Sequence, residues 1–468
     1  MVEWNGDCWV RRDFLKAGLA GATVFAVDWR AWAAEEKLPA YYGEHLASVA
    51  QRIRELSKTC PDGFFFITDI HVPANRCVSG RLLAQLITDT GVKKVVCGGD
   101  MPEAFGGKAS VDNTIAKYRE LWVGAVESAG GEFYPTRGNH DFTIRDSPEA
   151  SSGFTYPNKP TRDTLMDTAA VRRRAVVNTD DPEACYYYAD FPERRMRYIV
   201  ADTSDRVRED RTFWAVEYGM QERQLHWLAE RALGTLADGW SAIVVNHIPI
   251  TTVVGGESGN SERFAPWRKL LEAYQGRGKA SVGDKEYDFA HAKGFLICNL
   301  TGHAHAERQT YQNGLWHITE PCDAAYSDYI VGSTPWCPEL PRKEKGTIFE
   351  QTFDAVQVDV QRRRLHFTRL GGGGDRTYHL DARCVKVGED IKLATKFSGG
   401  GITWGCYDAD RVSRRQNPAN KYQSFYSYFN DRATVSSDGV LTTKAPGEVV
   451  VIARSADGVK EIFPMQIV

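Results

Sequence analysis

Five short clusters of polar residues carry the chemistry open to this sequence: Asp69-x-His71, Gly99-Asp100, Gly138-Asn139-His140-Asp141, Asn246-His247 and Gly302-His303-Ala304-His305. Each follows an apolar, β-favouring run, so each is expected at the end of a strand. In an α/β sheet the carboxyl ends of the strands meet along one rim, where loops distant in sequence converge on a ligand. Asp69, His71, Asp100, Asn139, His247, His303 and His305 become available to metal there, with His140 left over. These are oxygen and imidazole donors without a thiolate, a set that suits Mn, Fe or Zn better than a closed structural zinc site. A single carboxylate, Asp100, can bridge two ions. A pair of ions about 3.5–4 Å apart lowers the pKa of a shared water and clamps the attacking and leaving oxygens of an in-line displacement. Phosphoryl transfer is the chemistry that needs such a site. Glycines beside the ligands, Gly98, Gly99, Gly138 and Gly302, permit tight turns and let a phosphate approach backbone N–H groups.

The elements that must position these clusters are readable between residues 61 and 370, where short apolar runs alternate with helical patterns. Strands are expected at 64–67, 95–97, 186–188, 197–201, 242–245, 295–300 and 316–318, with a helix around 222–233. A closing hairpin is expected over 353–360 and 365–370. This alternation implies a layered α/β fold. Gly371 to Gly374 carry no side chains to pack and read as a flexible boundary, so the catalytic part is expected to end near residue 378. Beyond it, residues 385–468 read as short strands with turn signals, the pattern of a small sandwich.

The ordered clusters resemble the calcineurin-like metallophosphoesterase family, whose pattern D-x-H, G-D, G-N-H-[DE], H, G-H-x-H is matched at every position from Asp69 to His305. The resemblance implies a four-layer β-sandwich flanked by helices over residues 61–378, with two divalent or trivalent transition-metal ions. It assigns Asp69, His71, Asp100 and His305 to one ion, and Asp100, Asn139, His247 and His303 to the other. His140 then acts on the phosphate or the leaving group. Glu103, three residues past Asp100, takes a position that holds an aspartate in the protein phosphatase branch, where it orients the catalytic histidine; a Tyr there would have implied the purple acid phosphatase branch. The function implied is hydrolysis of a phosphomonoester or phosphodiester by a metal-bridging hydroxide. The stretch 433–453 resembles bacterial immunoglobulin-like group 2 domains, so residues 379–468 are expected to form an immunoglobulin-like sandwich, with a possible glycan or protein contact.

Arg11-Arg12-Asp13-Phe14-Leu15-Lys16 precedes a run of small and apolar residues and then Ala31-Trp32-Ala33, which reads as a twin-arginine export signal over residues 1–33. Residues 34–60 are expected to form a lead-in helix. The protein is thus expected in the periplasm or at the surface of a bacterium. Across 468 residues, 58 Lys+Arg against 61 Asp+Glu leave a net charge of −3, so no global field favours nucleic acid, and dedicated nucleic-acid binding is excluded. No apolar stretch approaches the roughly 18 residues that span a bilayer. Of ten cysteines, Cys97 and Cys298 lie in apolar runs and are expected to be free, while Cys322 and Cys337 are close enough in sequence to close a loop. Segments 142–192 and 251–291 follow ligand positions and are expected to wall the cleft, with Arg137, Arg145, Tyr156 and Lys159 as candidate contacts to a small phosphorylated substrate. A rival reading is a surface binding protein that uses its C-terminal sandwich beside a vestigial enzyme domain; the complete ligand set argues against it.

Overall fold

The computed structural model describes residues 38–72, 78–102, 108–141, 161–207, 216–217, 219–255, 263–324, 343–397, 401–417 and 420–468. The export signal, Glu103, Arg145, Tyr156, Lys159 and Cys337 lie outside the described residues.

Two sheets face each other. The first has ten strands. Its first half orders β3 (Glu132–Pro135), β2 (Lys94–Cys97), β1 (Asp62–Ile67), β15 (Thr352–Asp359), β16 (Arg364–Gly371) and β17 (Arg376–His379). It continues without a break into β26 (Lys460–Ile467), β25 (Gly447–Arg454) and β20 (Thr403–Asp408), with β18 (Arg383–Val385) also on β26. The second sheet orders β13 (Arg308–Gln312), β14 (Leu315–Thr319), β12 (Phe295–Thr301), β9 (Ser241–Asn246), β6 (Met196–Ala201), β5 (Tyr187–Phe191) and β4 (Ala175–Val177). Smaller hairpins are β7 (Arg206–Val207) with β8 (Val216–Glu217), β10 (Lys279–Val282) with β11 (Lys285–Asp288), and β21 (Val412–Asn417) with β22 (Asn420–Tyr428). A three-stranded sheet joins β19 (Asp390–Lys392), β24 (Val440–Thr443) and β23 (Ala433–Val435).

The continuous apolar runs of the sequence are strands covered on both faces. In β1, Phe64 turns toward the second sheet, its ring 5.2 Å from that of Tyr198, while Phe65 turns the other way, 6.4 Å from Phe353. One buried cluster joins Phe64, Phe66 and Val96 of the first sheet to Tyr198, Val245 and Ile297 of the second. On the outer face of the second sheet, Ile199 and Val244 pack with Leu228, Trp267 and Leu271 of the covering helices. The helix Gly43–Ser57 covers the outer face of the first sheet. It buries Leu46, Val49, Ala50 and Ile53, the spacing of one helical stripe.

Because β1, β2 and β3 run parallel, and β6, β9, β12 and β14 run parallel in the facing sheet, both sheets present carboxyl ends along one rim. All five polar clusters lie there.

The glycine run is not a flexible boundary. It joins β16 to its neighbour β17, and the Arg369 guanidinium donates to the Gly372 carbonyl (2.7 Å). A Cβ on Gly371, where φ is +93°, would lie 1.9 Å from the Gln351 carbonyl oxygen. Close packing calls for glycine at Gly371, and at Gly374, where a Cβ would lie 2.4 Å from the Gly458 carbonyl oxygen, while Gly373 at the tip is exposed. The boundary expected near residue 378 accordingly falls within β17, which pairs with β16 on one side and β26 on the other.

Candidate metal centre

The loop after β1 carries Asp69 and His71, the loop after β2 carries Asp100, and the loop after β3 carries Asn139 and His140. These loops are zipped to one another by main-chain bonds: Asp69 N–H donates to Gly99 O (2.9 Å) and His71 N–H to Asp100 O (3.0 Å). From the second sheet, His247 follows β9, and His303 and His305 follow β12. Gly302 N–H donates to His247 O (3.0 Å), which ties these two loops in turn.

The donor atoms converge in two groups that share Asp100. Ligand atoms of Asp69, His71, Asp100 and His305 all lie within 4.8 Å of one another, as do those of Asp100, His247 and His303. In the first group His305 Nε2 is 3.0 Å from Asp69 Oδ1 and 3.1 Å from His71 Nε2. In the second, His247 Nε2 is 3.1 Å from Asp100 Oδ2, and Asn139 Oδ1 lies 3.1 Å from His247 Nε2 and 2.7 Å from His303 Nδ1. Carboxylate, amide oxygen and imidazole donors crowded this way suit transition-metal ions, and Asp100 is common to both groups.

Among the described residues outside glycine, nine have φ in the left-handed region, and Asp69, His71, Asp100, His303 and His305 are five of them. Such conformations cost on the order of 1–3 kcal/mol each and persist where the surroundings over-determine them. The cost falls on the residues whose side chains must turn inward. Neighbouring glycines give way to them: a Cβ on Gly138 would lie 2.2 Å from Asp100 Oδ1, and one on Gly302 2.3 Å from Asp69 Oδ2. Close approach of protein groups accounts for these two glycines.

Burial alone would raise both carboxyl pKa values, but His305 and His71 beside Asp69, and His247 and His140 beside Asp100, hold them well below the usual range. Burial opposes charge on His247 too, yet Asp100 raises its pKa to about 9. Burial, together with His247, pushes His303 down to about 3. In the metal-free chain, protons on imidazoles balance the carboxylates where cations would compete for the same atoms.

His140 belongs to neither group. Its N–H donates to Asp100 Oδ1 (2.8 Å), its Nε2 is 3.9 Å from Asp100 Oδ2, and its side chain is 26% exposed against 2% for His71 and 0% for His247. It stands at the mouth of the centre.

Several supporting residues escaped the sequence. Asp141, a member of the third cluster with no role assigned, accepts from Met101 N–H (2.7 Å) and Gly138 N–H (2.7 Å) and so clamps the loops after β2 and β3 together. Thr68 donates to Asp69 Oδ2 (2.6 Å). Arg137, expected as a phosphate contact, is instead buried, with Nη1 3.3 Å from Asp202 Oδ2 and a further bond to Ser204 O. The repeated β-strand ending was the available signal for the ligands; nothing local tells an arginine that pairs with a distant carboxylate from one that faces a substrate. Cys97 and Cys298 are free and buried, as expected.

The model of the calcineurin-like phosphoesterase family matches residues 64–306. No curated protein matches the chain. Among solved structures, the chain is similar to a dimetal phosphatase from Danio rerio, with 15% identity and a TM-score of 0.44 over 68% of this chain and 98% of that one. It is also similar to PhoD, with 10% identity and a TM-score of 0.42 over 87% and 74%. GAP50 of Plasmodium, the anchor in its inner membrane complex, gives 15% identity and a TM-score of 0.36 over 65% and 83%. The family assignment rests on the match over residues 64–306.

Proposed function

The chain belongs to the calcineurin-like phosphoesterase family, and from that premise we propose that it is an exported, dinuclear-metal hydrolase of small phosphomonoesters or phosphodiesters. The observation that carries this reading is the convergence of two donor groups on one shared carboxylate, Asp100. Asp69, His71, Asp100 and His305 would hold one ion, and Asp100, Asn139, His247 and His303 the other. When bound, such a pair supplies Lewis-acid activation of water and charge neutralisation on the phosphoryl oxygens.

The chain's own groups do the rest. Left-handed backbone at five ligand positions and the Asp141 clamp fix the donors before substrate arrives, so little reorganisation is left for the reaction. His140, partly exposed at the mouth and held by its main-chain N–H to Asp100, is placed to stabilise charge on the phosphoryl group or to deliver a proton to the departing oxygen. Export rests on the twin-arginine pattern at Arg11-Arg12. No helix among the described residues is long and apolar enough to cross a membrane.

Hydrolysis of p-nitrophenyl phosphate and bis-p-nitrophenyl phosphate, with added Mn²⁺ and then with a chelator, tests the proposal. The expected result is turnover that the chelator abolishes and metal restores, with the ratio of the two rates giving the ester preference. A metal-loaded protein inert toward both esters overturns it.

A further inference from the structure

We propose that Cys60, Asp359 and His366 form a separate metal site that takes one zinc-class divalent ion. The sulfur, one carboxylate oxygen and one ring nitrogen all lie within 4.8 Å of one another. Cys60 precedes β1 and Asp69 follows it, so the six-residue strand separates this cluster from the dinuclear centre by about 20 Å.

The sheet register explains the convergence. Asp359 pairs with Arg364 across β15 and β16, and Gln357 pairs with His366. Paired residues share a face, as do residues two apart, so Asp359 and His366 are diagonal neighbours on one face. Gln357, on that same face, donates to Ile53 O (3.2 Å) and Ser57 Oγ (2.8 Å), which places the end of the helix Gly43–Ser57 over it. Cys60 N–H donates to Leu56 O (2.8 Å), and the chain leaves the helix there with Cys60 facing the strands. Three elements thus contribute one ligand each.

The surroundings leave the donors usable. His366 Nδ1 is 3.0 Å from Thr377 Oγ1 on the next strand, an orienting contact of the kind that ligating histidines make, and Nε2 is the nitrogen left for an ion. Asp359 accepts from Arg362 N–H (2.8 Å) at Oδ1 and from Arg362 Nη1 (3.0 Å) at Oδ2, and each oxygen keeps a second lone pair. Cys60 and Asp359 are 2% and 4% exposed, whereas His366 is only partly buried, so a water can complete a tetrahedral set on that side. Thiolate, carboxylate and imidazole together neutralise a divalent charge, and the soft sulfur selects zinc over magnesium or calcium. On loading, the Cys60 S–H bond breaks, its proton goes to solvent, and a metal–sulfur bond forms. The ion would fasten the end of the helix Gly43–Ser57 to the β15–β16 hairpin.

Cobalt substitution in the full chain tests this, because the ligands proposed for the dinuclear centre include no thiolate. The expected result is a near-ultraviolet thiolate-to-cobalt band in the wild type. It falls to baseline in Cys60→Ser and persists in Asp100→Asn. Zinc content of His366→Gln, a partly exposed position, should fall by one ion per chain. The proposal is overturned by a cobalt-loaded wild type without the band, by a band intact in Cys60→Ser or lost in Asp100→Asn, or by unchanged zinc in His366→Gln.

Discussion

Asp100 and His140 stand side by side, joined by a 2.8 Å hydrogen bond, yet the geometry gives them different work. Asp100 is common to both donor groups, so Asp100→Asn removes charge from both at once and is expected to lower bound metal together with activity, read by elemental analysis beside turnover. His140→Ala is expected to keep the ions and lose about 10²–10⁴-fold in rate, the usual worth of a general acid. If proton delivery dominates, the loss shrinks for p-nitrophenyl esters, whose leaving oxygen needs little protonation; a uniform loss points to phosphoryl stabilisation instead. An ion lost from His140→Ala, or full activity on alkyl and aryl esters alike, contradicts the role. At this scale the convergence of the donor residues was legible because coordination restricts residue type, and five clusters in order leave few alternatives. The supports were not: Asp141 reaches Met101 across 40 residues, and an aspartate that clamps main-chain N–H groups has no pattern of its own.

Strands were legible where apolar runs were long enough to be buried on both faces, as in β1, β9 and β12, and their rim placement followed from parallel pairing. The glycine turn after β16 was not legible, because a tight turn between paired strands and a loose linker have the same composition, and only the pairing of β16 with β17 tells them apart. The seam between β17 and β26 carries its own pH dependence. Glu461 on β26 lies 2.8 Å from His379 Nε2 and accepts from Thr395 Oγ1 (2.7 Å) and Lys396 N–H (2.8 Å). Burial would raise its pKa, but these partners lower it to about 2. A folded pKa below the unfolded value near 4.3 stabilises the fold above that value, and the contribution is lost as pH falls toward 2. Glu461→Gln is therefore expected to cost on the order of 1–3 kcal/mol at pH 7. The gap from wild type should close between about pH 4 and pH 2, followed by denaturant titration at several pH values. Release of metal in acid affects both proteins and cancels in the difference. A gap that stays constant with pH removes the charge from the explanation.

At the scale of the molecule, the C-terminal strands complete the catalytic half rather than hang from it. The first sheet runs unbroken from β3 to β20, Tyr407 donates to Gln309 O (2.7 Å) on β13, and Trp316 on β14 donates to His379 O (2.7 Å). Between the sheets lies a buried group of three basic and three acidic side chains. Arg369 contacts Asp354 (3.0 Å) and Glu307 (2.8 Å), Arg376 contacts Glu320 (2.8 Å) and Asp354 (2.9 Å), and Lys460 of β26 bonds Glu307. Glu307 is two residues past His305, so a lysine from the last strand holds the loop of a proposed metal ligand. Breaking a buried pair outright costs about 3–5 kcal/mol. Glu307 retains Arg369 and also Arg376 (3.1 Å), however, so Lys460→Met is expected to cost less, about 1–3 kcal/mol, with Lys460→Arg recovering most of it. Removing residues 381–468 does more: it strips the partner strand from β17, exposes an unpaired edge, and takes Lys460 away. That truncation is expected to yield insoluble protein or a soluble one poor in metal, measured by solubility, thermal unfolding and elemental analysis beside the full chain. A truncated chain that unfolds at the full-length temperature and holds as many ions at the dinuclear centre would show that the two halves share a sheet without depending on each other.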